Sequence, residues 1–378
     1  MRGGRVTTAD LVARLVAVDS TNPDLVPGGA GEAGVAAVIA EHMAELGLEV
    51  DMWDAAPGRP NVVGRVSGTG GGRSLMFCGH TDVVGGEPGA FVPHVHDGRM
   101  HGRGTCDMKA GIAAALAAAG RVAADPPAGD VLVACVIDEE WQSVGAQALV
   151  ERYGADAAVL PEQSDLDVIL AHGGFAWYDV ISRGVEAAGG RPERGRDAIT
   201  LAGPVLTGIA ELERELAGRE TPEWGRPSVH ASTIQGGRDY PSYPGECVIG
   251  VERCIMPGET VAQSLAEMAA LLDRARAADA SFEGECRTVV AREPVLLDRD
   301  EPVVRAAVEA AAAVLGRAPV VRSDYGWMDS GILVEAGIPC VVLGPTGDGL
   351  HTVDEWVDLE SVDQCADAYV RMIRALCA

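Results

Sequence analysis

Short apolar runs that alternate with helical segments constrain the fold of this chain more than any other feature. Four runs have the length and composition of buried β-strands, at 73–78, 131–137, 157–160 and 339–343. Segments with helical periodicity lie at 8–18, 31–47, 108–124, 143–153, 301–316 and 329–336. This alternation predicts an α/β fold: a layered domain with a mainly parallel sheet.

The middle of the chain has a different order of elements. Predicted strands at 175–183, 228–235, 246–254 and 284–292 are interleaved with helices at 197–217 and 259–277. This β-α-β-β-α-β order is that of the ferredoxin-like α+β motif. We therefore predict a second domain at 174–292, inserted into a discontinuous first domain formed by 1–173 and 293–378.

Composition excludes some classes of partner. The 378-residue chain has a formal charge of −26, and a nucleic-acid partner would need a basic surface. The nine cysteines are odd in number and include no Cys-x-x-Cys pair, which favours reduced thiols and a cytoplasmic protein. Residues 1–10 lack the apolar segment of a signal peptide, and the longest apolar helical stretch, near 110–124, is too short to cross a membrane. We expect neither nucleic acid nor membrane as a partner.

Five side chains suited to metal binding are spread over the chain, and four of them follow predicted strands of the first domain. They are His80, Asp107, Glu140, Glu162 and His351. Two histidines and three carboxylates can hold two divalent ions when one carboxylate is shared between them. A pair of ions of this kind typically activates water against an acyl or phosphoryl centre.

Each candidate also has an ordinary structural interpretation. His80 begins a His-Thr-Asp turn in which Asp82 can accept a hydrogen bond from the imidazole. Asp107 precedes a helix and would suit an N-cap, and the acidic run 138–140 would suit a solvated loop. However, three adjacent carboxylates at a buried strand end repel one another unless a cation is near. The agreement of five positions favours one metal centre over five coincidences.

The sequence resembles one family of metallohydrolases over nearly its whole length. Four blocks carry the resemblance and occur in the family's order: Gly-His-Thr-Asp-Val-Val at 79–84, the glycine-rich segment 97–111, Asp-Glu-Glu at 138–140 and His-Thr-Val-Asp-Glu-Trp at 351–356. The family includes acetylornithine deacetylases, succinyl-diaminopimelate desuccinylases, aminoacylases and carboxypeptidases G. The resemblance implies a zinc-exopeptidase-like catalytic domain and an inserted lid domain that mediates homodimerisation.

The same resemblance implies how two zinc ions would be held. His80 and Glu162 would bind one ion, Glu140 and His351 would bind the other, and Asp107 would bridge them. Cobalt or manganese would also suit this ligand set. A purely structural zinc site is a weak alternative, because structural sites prefer closed shells of cysteine and histidine.

Further roles are implied around these ligands. Glu139 would be the general base that takes a proton from water, and Asp82 would orient His80. The family's bridging aspartate is usually followed by a cis peptide bond, so we expect the Asp107–Met108 bond to be cis. Candidates for contact with substrate are Arg253, Asp329 and Gly344.

Two positions depart from the family pattern. Relatives carry a lid-domain histidine, which helps to hold the oxyanion, where this chain has Ala188; the loss of one such donor typically costs about 10²–10³ in rate. An arginine that pairs with the substrate carboxylate is usual where this chain has Cys254, and the adjacent Arg253 faces the opposite side of a strand. Substrates with a free α-carboxylate are therefore in doubt, and Ala188 is accounted for either by engineering or by natural divergence.

The leading hypothesis is a dizinc amidohydrolase that removes an acyl group from a small amino compound. Cleavage of dipeptides is the alternative within the hydrolases. A diverged protein that keeps its metals but binds a ligand or transfers an acyl group is the alternative outside them. Glu139 favours hydrolysis, whereas Ala188 and Cys254 favour the altered role.

Overall fold

The computed structural model describes residues 6–87 and 89–378. Residues 1–5, part of the segment in which no signal peptide is expected, lie outside the described residues, as does Pro88. The chain divides into two compact units. The first unit comprises the chain up to Leu170 together with Leu297–Arg322 and Met328–Ala378, and the second comprises Ala171–Leu296 and Ser323–Trp327.

The elements follow one another in three stretches. Before the insertion they are α1 (Thr8–Val16), α2 (Ala33–Glu45), β1 (Glu49–Ala56), β2 (Arg59–Val66), β3 (Leu75–His80), β4 (His94–His96), β5 (Arg99–His101), α3 (Ala110–Val122), β6 (Val131–Val136), α4 (Val144–Arg152), β7 (Ala157–Leu160) and β8 (Val168–His172). Then come β9 (Gly174–Arg183), β10 (Ala187–Ala188), α5 (Ala198–Ala217), β11 (Ser228–Gly236), β12 (Ser242–Tyr243), β13 (Glu246–Ile255), α6 (Val261–Ala278), β14 (Glu283–Arg292) and β15 (Val295–Leu296). The last stretch contains α7 (Pro302–Leu315), β16 (Val321–Asp324), α8 (Ser330–Glu335), β17 (Cys340–Val342), β18 (Gly347–Asp348), β19 (Trp356–Asp358) and α9 (Leu359–Leu376).

The first unit is built on a central sheet in the order β1-β2-β6-β3-β7-β17-β8. Its middle strands β6, β3, β7 and β17 run parallel, and the strands towards both edges are antiparallel. Every residue of β3, β6 and β7 is buried, as expected for parallel strands that are covered on both faces. The predicted α/β class with a mainly parallel sheet is confirmed.

A small antiparallel sheet in the order β18-β19-β5-β4 also belongs to the first unit. The loop between β18 and β19 carries His351. The patterns in the sequence did not predict this small sheet, the β1–β2 hairpin, β8 or the C-terminal helix α9. None of the described helices is both long enough and apolar enough to span a membrane.

The second unit contains the predicted ferredoxin-like fold. Its four long strands form an antiparallel sheet in the order β11-β13-β9-β14, and α5 and α6 pack on that sheet. Apolar residues of the helices and the sheet, such as Val205, Leu271 and Ile249, form one buried core. The alternation of buried and half-buried residues along β9 and β13 explains why the period-two pattern was visible in the sequence.

The segment 323–327 differs from the predicted division of the chain, which placed all of 293–378 in the first domain. This segment groups with the second unit. Its Asp324 carbonyl accepts a hydrogen bond from the Gly173 amide at 3.2 Å, and the Ser323 hydroxyl donates to the Glu223 carbonyl at 2.7 Å. These partners are distant in sequence, so local patterns did not reveal them.

Candidate metal centre

The ends of neighbouring strands bring the five predicted metal ligands together. Strands β3 and β6 are parallel neighbours with His80 in register with Val136, so the acidic run 138–140 begins two residues beyond the partner of His80. Glu162 follows β7, which pairs with β3 on its other side. His351 lies in the loop that closes the small sheet, and its backbone has a φ of 61°.

Asp107 lies between two groups of potential ligands. One of its carboxylate oxygens is 2.9 Å from His80 Nε2, and the other is 3.1 Å from His351 Nε2. The same His80 nitrogen is 3.1 Å from a Glu162 oxygen, and the same His351 nitrogen is 3.1 Å from a Glu140 oxygen. Within residues 6–87 and 89–378, these two triads are the groups of three whose donor atoms lie within 4.8 Å of one another.

The electrostatics of this cluster favour the binding of cations. Burial raises the pKa of Glu162 to about 7, and burial also raises the pKa of Glu139 and of Glu140. Hydrogen bonds to Asp107 and Glu140 raise the pKa of His351 to about 10. Burial alone would raise the pKa of Asp107, but its hydrogen bonds to both histidines hold it below the usual range. The protein thus collects more carboxylates than its two imidazoles can balance.

The donor set fits two divalent ions. Each triad offers one imidazole nitrogen and two carboxylate oxygens, with Asp107 common to both. Nitrogen and oxygen ligands of this kind suit zinc, cobalt or manganese. Two bound cations would offset the excess of buried negative charge in this cluster.

Asp82 supports two parts of the centre at once. Its backbone carbonyl is 3.0 Å from His80 Nδ1, whereas its nearer carboxylate oxygen to that nitrogen is 3.7 Å away. The carboxylate instead accepts the backbone N–H groups of Glu139 and Glu140, each at 3.1 Å. Asp82, which was expected only to orient His80, therefore also holds the backbone of Glu139 and Glu140 at the end of β6.

A buried polar network continues from this strand end. Asn22 donates to the carboxylates of Asp82 and Asp138 at 2.8 and 3.0 Å. Arg59 donates to Asp138 at 3.1 Å and to Glu32 at 2.8 Å. Sequence reasoning missed Asn22 and Arg59 because neither belongs to a spacing typical of metal ligands, although a buried arginine always requires acidic partners.

Glu355 holds the turn that presents Asp107. Its carboxylate accepts the backbone N–H groups of Gly104 at 3.0 Å, Cys106 at 2.9 Å and Asp107 at 3.2 Å, and it pairs with the Arg103 guanidinium. Within this turn the Asp107–Met108 peptide bond is cis, as predicted. Glu355 lies in the His-Thr-Val-Asp-Glu-Trp block, but its residue type and position in the sequence did not indicate this role.

Arg253 and Gly344, two of the predicted substrate contacts, both form hydrogen bonds within the protein, and their contact with substrate stays a prediction. The Arg253 side chain is buried in the second unit, where it donates to Glu267 and Glu259, each at 2.9 Å. The Gly344 amide donates to the Ser164 hydroxyl at 2.9 Å, and a Cβ at Gly344 would lie 2.0 Å from the Glu162 carbonyl oxygen. Gly344 therefore allows two chain segments to approach closely.

Asp329, the third predicted substrate contact, is a buried carboxylate, and its contact with substrate also stays a prediction. Its side chain is buried at the start of α8. Burial raises its pKa to about 7, and the nearby charge of His80 acts in the opposite direction. This placement makes Asp329 part of the electrostatic surroundings of the centre.

Both departures from the family pattern lie in the second unit. Ala188 is exposed on the short strand β10, opposite Ser242 of β12. Cys254 is half-buried on β13, opposite Ser228 of β11 and Phe175 of β9. The adjacent Arg253 forms its ion pairs inside this unit, so it does not replace the missing arginine.

Known proteins are similar to this chain over most of its length. The sequence model of peptidase family M20/M25/M40 matches residues 76–375. N-formyl-4-amino-5-aminomethyl-2-methylpyrimidine deformylase of Bacillus subtilis is 29% identical and covers 91% of this chain and 89% of its own. Acetylornithine deacetylase of Myxococcus xanthus is 32% identical and covers 86% of each chain. The structure of aminopeptidase PepT from Bacillus cereus has a TM-score of 0.78 at 24% identity, covering 99% of this chain and 100% of its own.

Proposed function

Because the chain belongs to peptidase family M20/M25/M40, we propose that it hydrolyses the amide bond of a small N-acyl amino compound. The protein is a metal-dependent hydrolase of the deacylase and dipeptidase kind. The observation that carries the proposal is the position of Asp107 between two ligand triads, with Glu139 beside one of them in sequence.

The proposed roles follow from the placement of the side chains. His80 and Glu162 would hold one ion, Glu140 and His351 the other, and Asp107 both. When bound, two zinc ions lower the pKa of water and polarise the acyl carbonyl. Glu139 takes a proton from the attacking water and delivers it to the leaving amine. Asp82 keeps Glu139 in place through its backbone amide.

The substrate class follows from the second unit and from the relatives. Without an arginine at position 254 the chain lacks the carboxylate partner expected from the family resemblance. The Bacillus subtilis relative is named for an N-formyl aminomethylpyrimidine, which has no carboxylate, whereas acetylornithine has one. We favour an N-acyl amine without a free α-carboxylate, and we keep a dipeptide as the alternative.

A panel of substrates with the zinc-loaded protein tests the proposal. It would contain N-formyl and N-acetyl derivatives of arylmethyl amines, N-acyl amino acids and dipeptides. We expect hydrolysis of the N-acyl amines and a fall of about 10²–10⁴ in kcat for Glu139→Gln, with unchanged metal content. Glu151→Gln, which changes an exposed glutamate of α4, is the matched control. Equal rates for Glu139→Gln and the wild type would refute the role of Glu139.

A second variant separates a hydrolase from a diverged protein. Restoring histidine with Ala188→His would supply the oxyanion donor that the family resemblance implies. A rise in kcat on the order of 10²–10³ would indicate a hydrolase impaired at this position. An unchanged rate would indicate that the chain has diverged towards ligand binding or acyl transfer.

Location and assembly complete the proposal. All nine cysteines are unpaired, which favours a reducing compartment, and we propose a cytoplasmic protein. We also propose a homodimer formed through the second unit. Strand β11 is an edge of its sheet, and residues 230–236 of this strand are exposed, so they offer unpaired backbone groups to a second copy.

A further inference from the structure

Three of the eight histidines lie close together in sequence and outside the candidate metal centre. His94 and His96 are on β4, and His101 is on β5. The two strands form an antiparallel hairpin in which His94 is opposite His101 and His96 is opposite Arg99. The proposed hydrolysis gives no role to any of these three side chains.

The hairpin is a fixed platform. Its two-residue turn consists of Asp97 with a φ of 47° and Gly98 with a φ of 77°, the left-handed pair that type I′ hairpins require. On its other side β5 pairs with β19, where Trp356 is opposite His101. The register of the hairpin is therefore set by its turn and by a third strand.

All three histidines lie on the same face of the hairpin. Residues two apart on a strand share a face, and directly opposed residues share it as well. The intervening Met100 is only 3% exposed and so marks the face towards the core. The side chain of His96 is 76% exposed. His94 is also exposed and His101 is half-buried, so the histidine face is open to solvent mainly at β4.

Two of the three imidazoles lie side by side. The ring centroids of His94 and His101 are 5.1 Å apart, and the ring planes are 13° from parallel. Zn–N bonds of about 2.0–2.1 Å place two imidazole nitrogens on one ion roughly 3–4 Å apart. Among the described residues, the candidate metal centre alone already has three donors within 4.8 Å of one another. Binding on the hairpin therefore requires rotation of the rings, which the exposed side chains of His94 and His96 allow.

The pKa of His101 also favours a metal ion. Partial burial lowers the pKa of His101, and the nearby charges of His94, His96 and Arg99 lower it further. Histidine binds metals as the neutral imidazole. The lowered pKa makes His101 available as this neutral ligand at neutral pH.

We propose that His94, His96 and His101 form a third metal site, which binds one borderline divalent ion such as Zn²⁺, Ni²⁺ or Cu²⁺ at the solvent face of the hairpin. Three histidines are a known donor set for zinc, with water in the remaining position, and imidazole also suits nickel and copper. Because the site is exposed, it binds its ion more weakly than the buried centre does.

Metal stoichiometry of the full-length, untagged protein tests this site. The protein is stripped with a chelator and dialysed against excess Zn²⁺, and bound zinc is measured by mass spectrometry. We expect three ions per chain for the wild type and two for the triple variant His94→Gln, His96→Gln and His101→Gln. His230→Gln removes an exposed histidine of the second unit and is the matched control, for which three ions are expected.

Two further measurements separate this site from the buried centre. Asp107→Asn should weaken the two ions of the centre and leave the hairpin ion, whereas the triple variant should keep its full rate of amide hydrolysis. Cu²⁺ titrated into zinc-loaded protein should give an electron paramagnetic resonance signal from nitrogen ligands that the triple variant loses. Two zinc ions in the wild type, or three in the triple variant, would overturn the proposal.

Discussion

At the scale of single residues, the centre depends on how one carboxylate is shared. Asp107 directs one oxygen towards each histidine, at 2.9 and 3.1 Å. Each of the other ligands belongs to one triad only. Removal of Asp107 therefore affects both ion positions, whereas removal of Glu162 affects one.

This asymmetry predicts different metal contents for two conservative variants. Asp107→Asn should lower the affinity for both ions, because the amide keeps the shape of the side chain but loses the charge that both ions share. Glu162→Gln should weaken one ion and leave the other in place. Zinc content after dialysis against a weak chelator measures the difference, with Glu151→Gln as the control. Equal losses in the two variants would contradict a shared Asp107.

At the scale of elements, the turn that leads into α3 depends on Glu355. Three backbone amides and the Arg103 guanidinium all donate to its carboxylate. Glu355→Gln would point an amide group at some of these donors, and an unsatisfied buried donor costs about 1–3 kcal/mol. We expect a lower melting temperature and a loss of metal affinity on the order of 10–100-fold, as for other residues that support ligands.

The comparison with Asp354→Asn tests this role of Glu355. Asp354 is exposed and precedes Glu355 in the same loop, so this variant removes one negative charge without touching the turn. It should retain wild-type melting temperature and metal affinity. If both variants lose metal affinity equally, the loss reflects the charge of the loop, and the specific support of Asp107 by Glu355 is wrong.

The sequence revealed many of the elements whose burial is periodic or complete, but it missed β2 and β8, which are also buried along nearly their whole length. Strands β9 and β13 of the second unit alternate in burial, and β3 and β6 are continuously buried, so both kinds were predicted. The β1 strand has no such pattern, because its side chains are exposed or half-buried along its whole length. Helix α9 was missed although Val362, Cys365, Tyr369 and Met372 recur at helical spacing and are buried.

The ligands of the candidate site could be predicted from the sequence, but the residues that hold those ligands in place could not. Histidines and carboxylates that directly follow apolar runs can be recognised in the sequence as candidate metal ligands at strand ends. Asn22, Arg59 and Glu355 act through partners that lie far away in sequence. Only the folded chain places such partners together, which is also why the buried ion pairs of Arg253 were not foreseen.

At the scale of the whole molecule, metal binding should stabilise the protein more as the pH rises. Burial raises the pKa of Glu162 from 4.5 to about 7 and that of Asp329 from 3.8 to about 7. Between the ordinary pKa values of these two groups and about pH 7, the metal-free folded state thus holds protons that the unfolded chain has lost. The free energy of unfolding of the metal-free protein therefore falls as the pH rises through this range. Bound cations favour the ionised carboxylates and oppose this loss.

The expected outcome is a difference in melting temperature between zinc-loaded and metal-free protein that grows from about pH 5 to about pH 7. His172, whose pKa burial lowers to about 4, acts in the opposite direction, but it does so in both forms. Differential scanning calorimetry of both forms provides the measurement. In Glu162→Gln the difference in melting temperature between the two forms should increase less with pH. A difference that decreases as the pH rises in the wild type would contradict the prediction.

The exposed sheet edges of the second unit allow the proposed mode of dimerisation to be tested. Its sheet has two edges, β11 and β14, and each exposes one aliphatic side chain to a similar degree, Ile234 at 52% and Val289 at 53%. If two copies pair along β11, Ile234→Glu places two like charges at the interface and should give a monomer. Val289→Glu makes the matched change at the opposite edge and should leave the dimer intact. Size-exclusion chromatography with light scattering distinguishes these states, and a wild-type monomer, or a dimer lost only in Val289→Glu, would rule out pairing through β11.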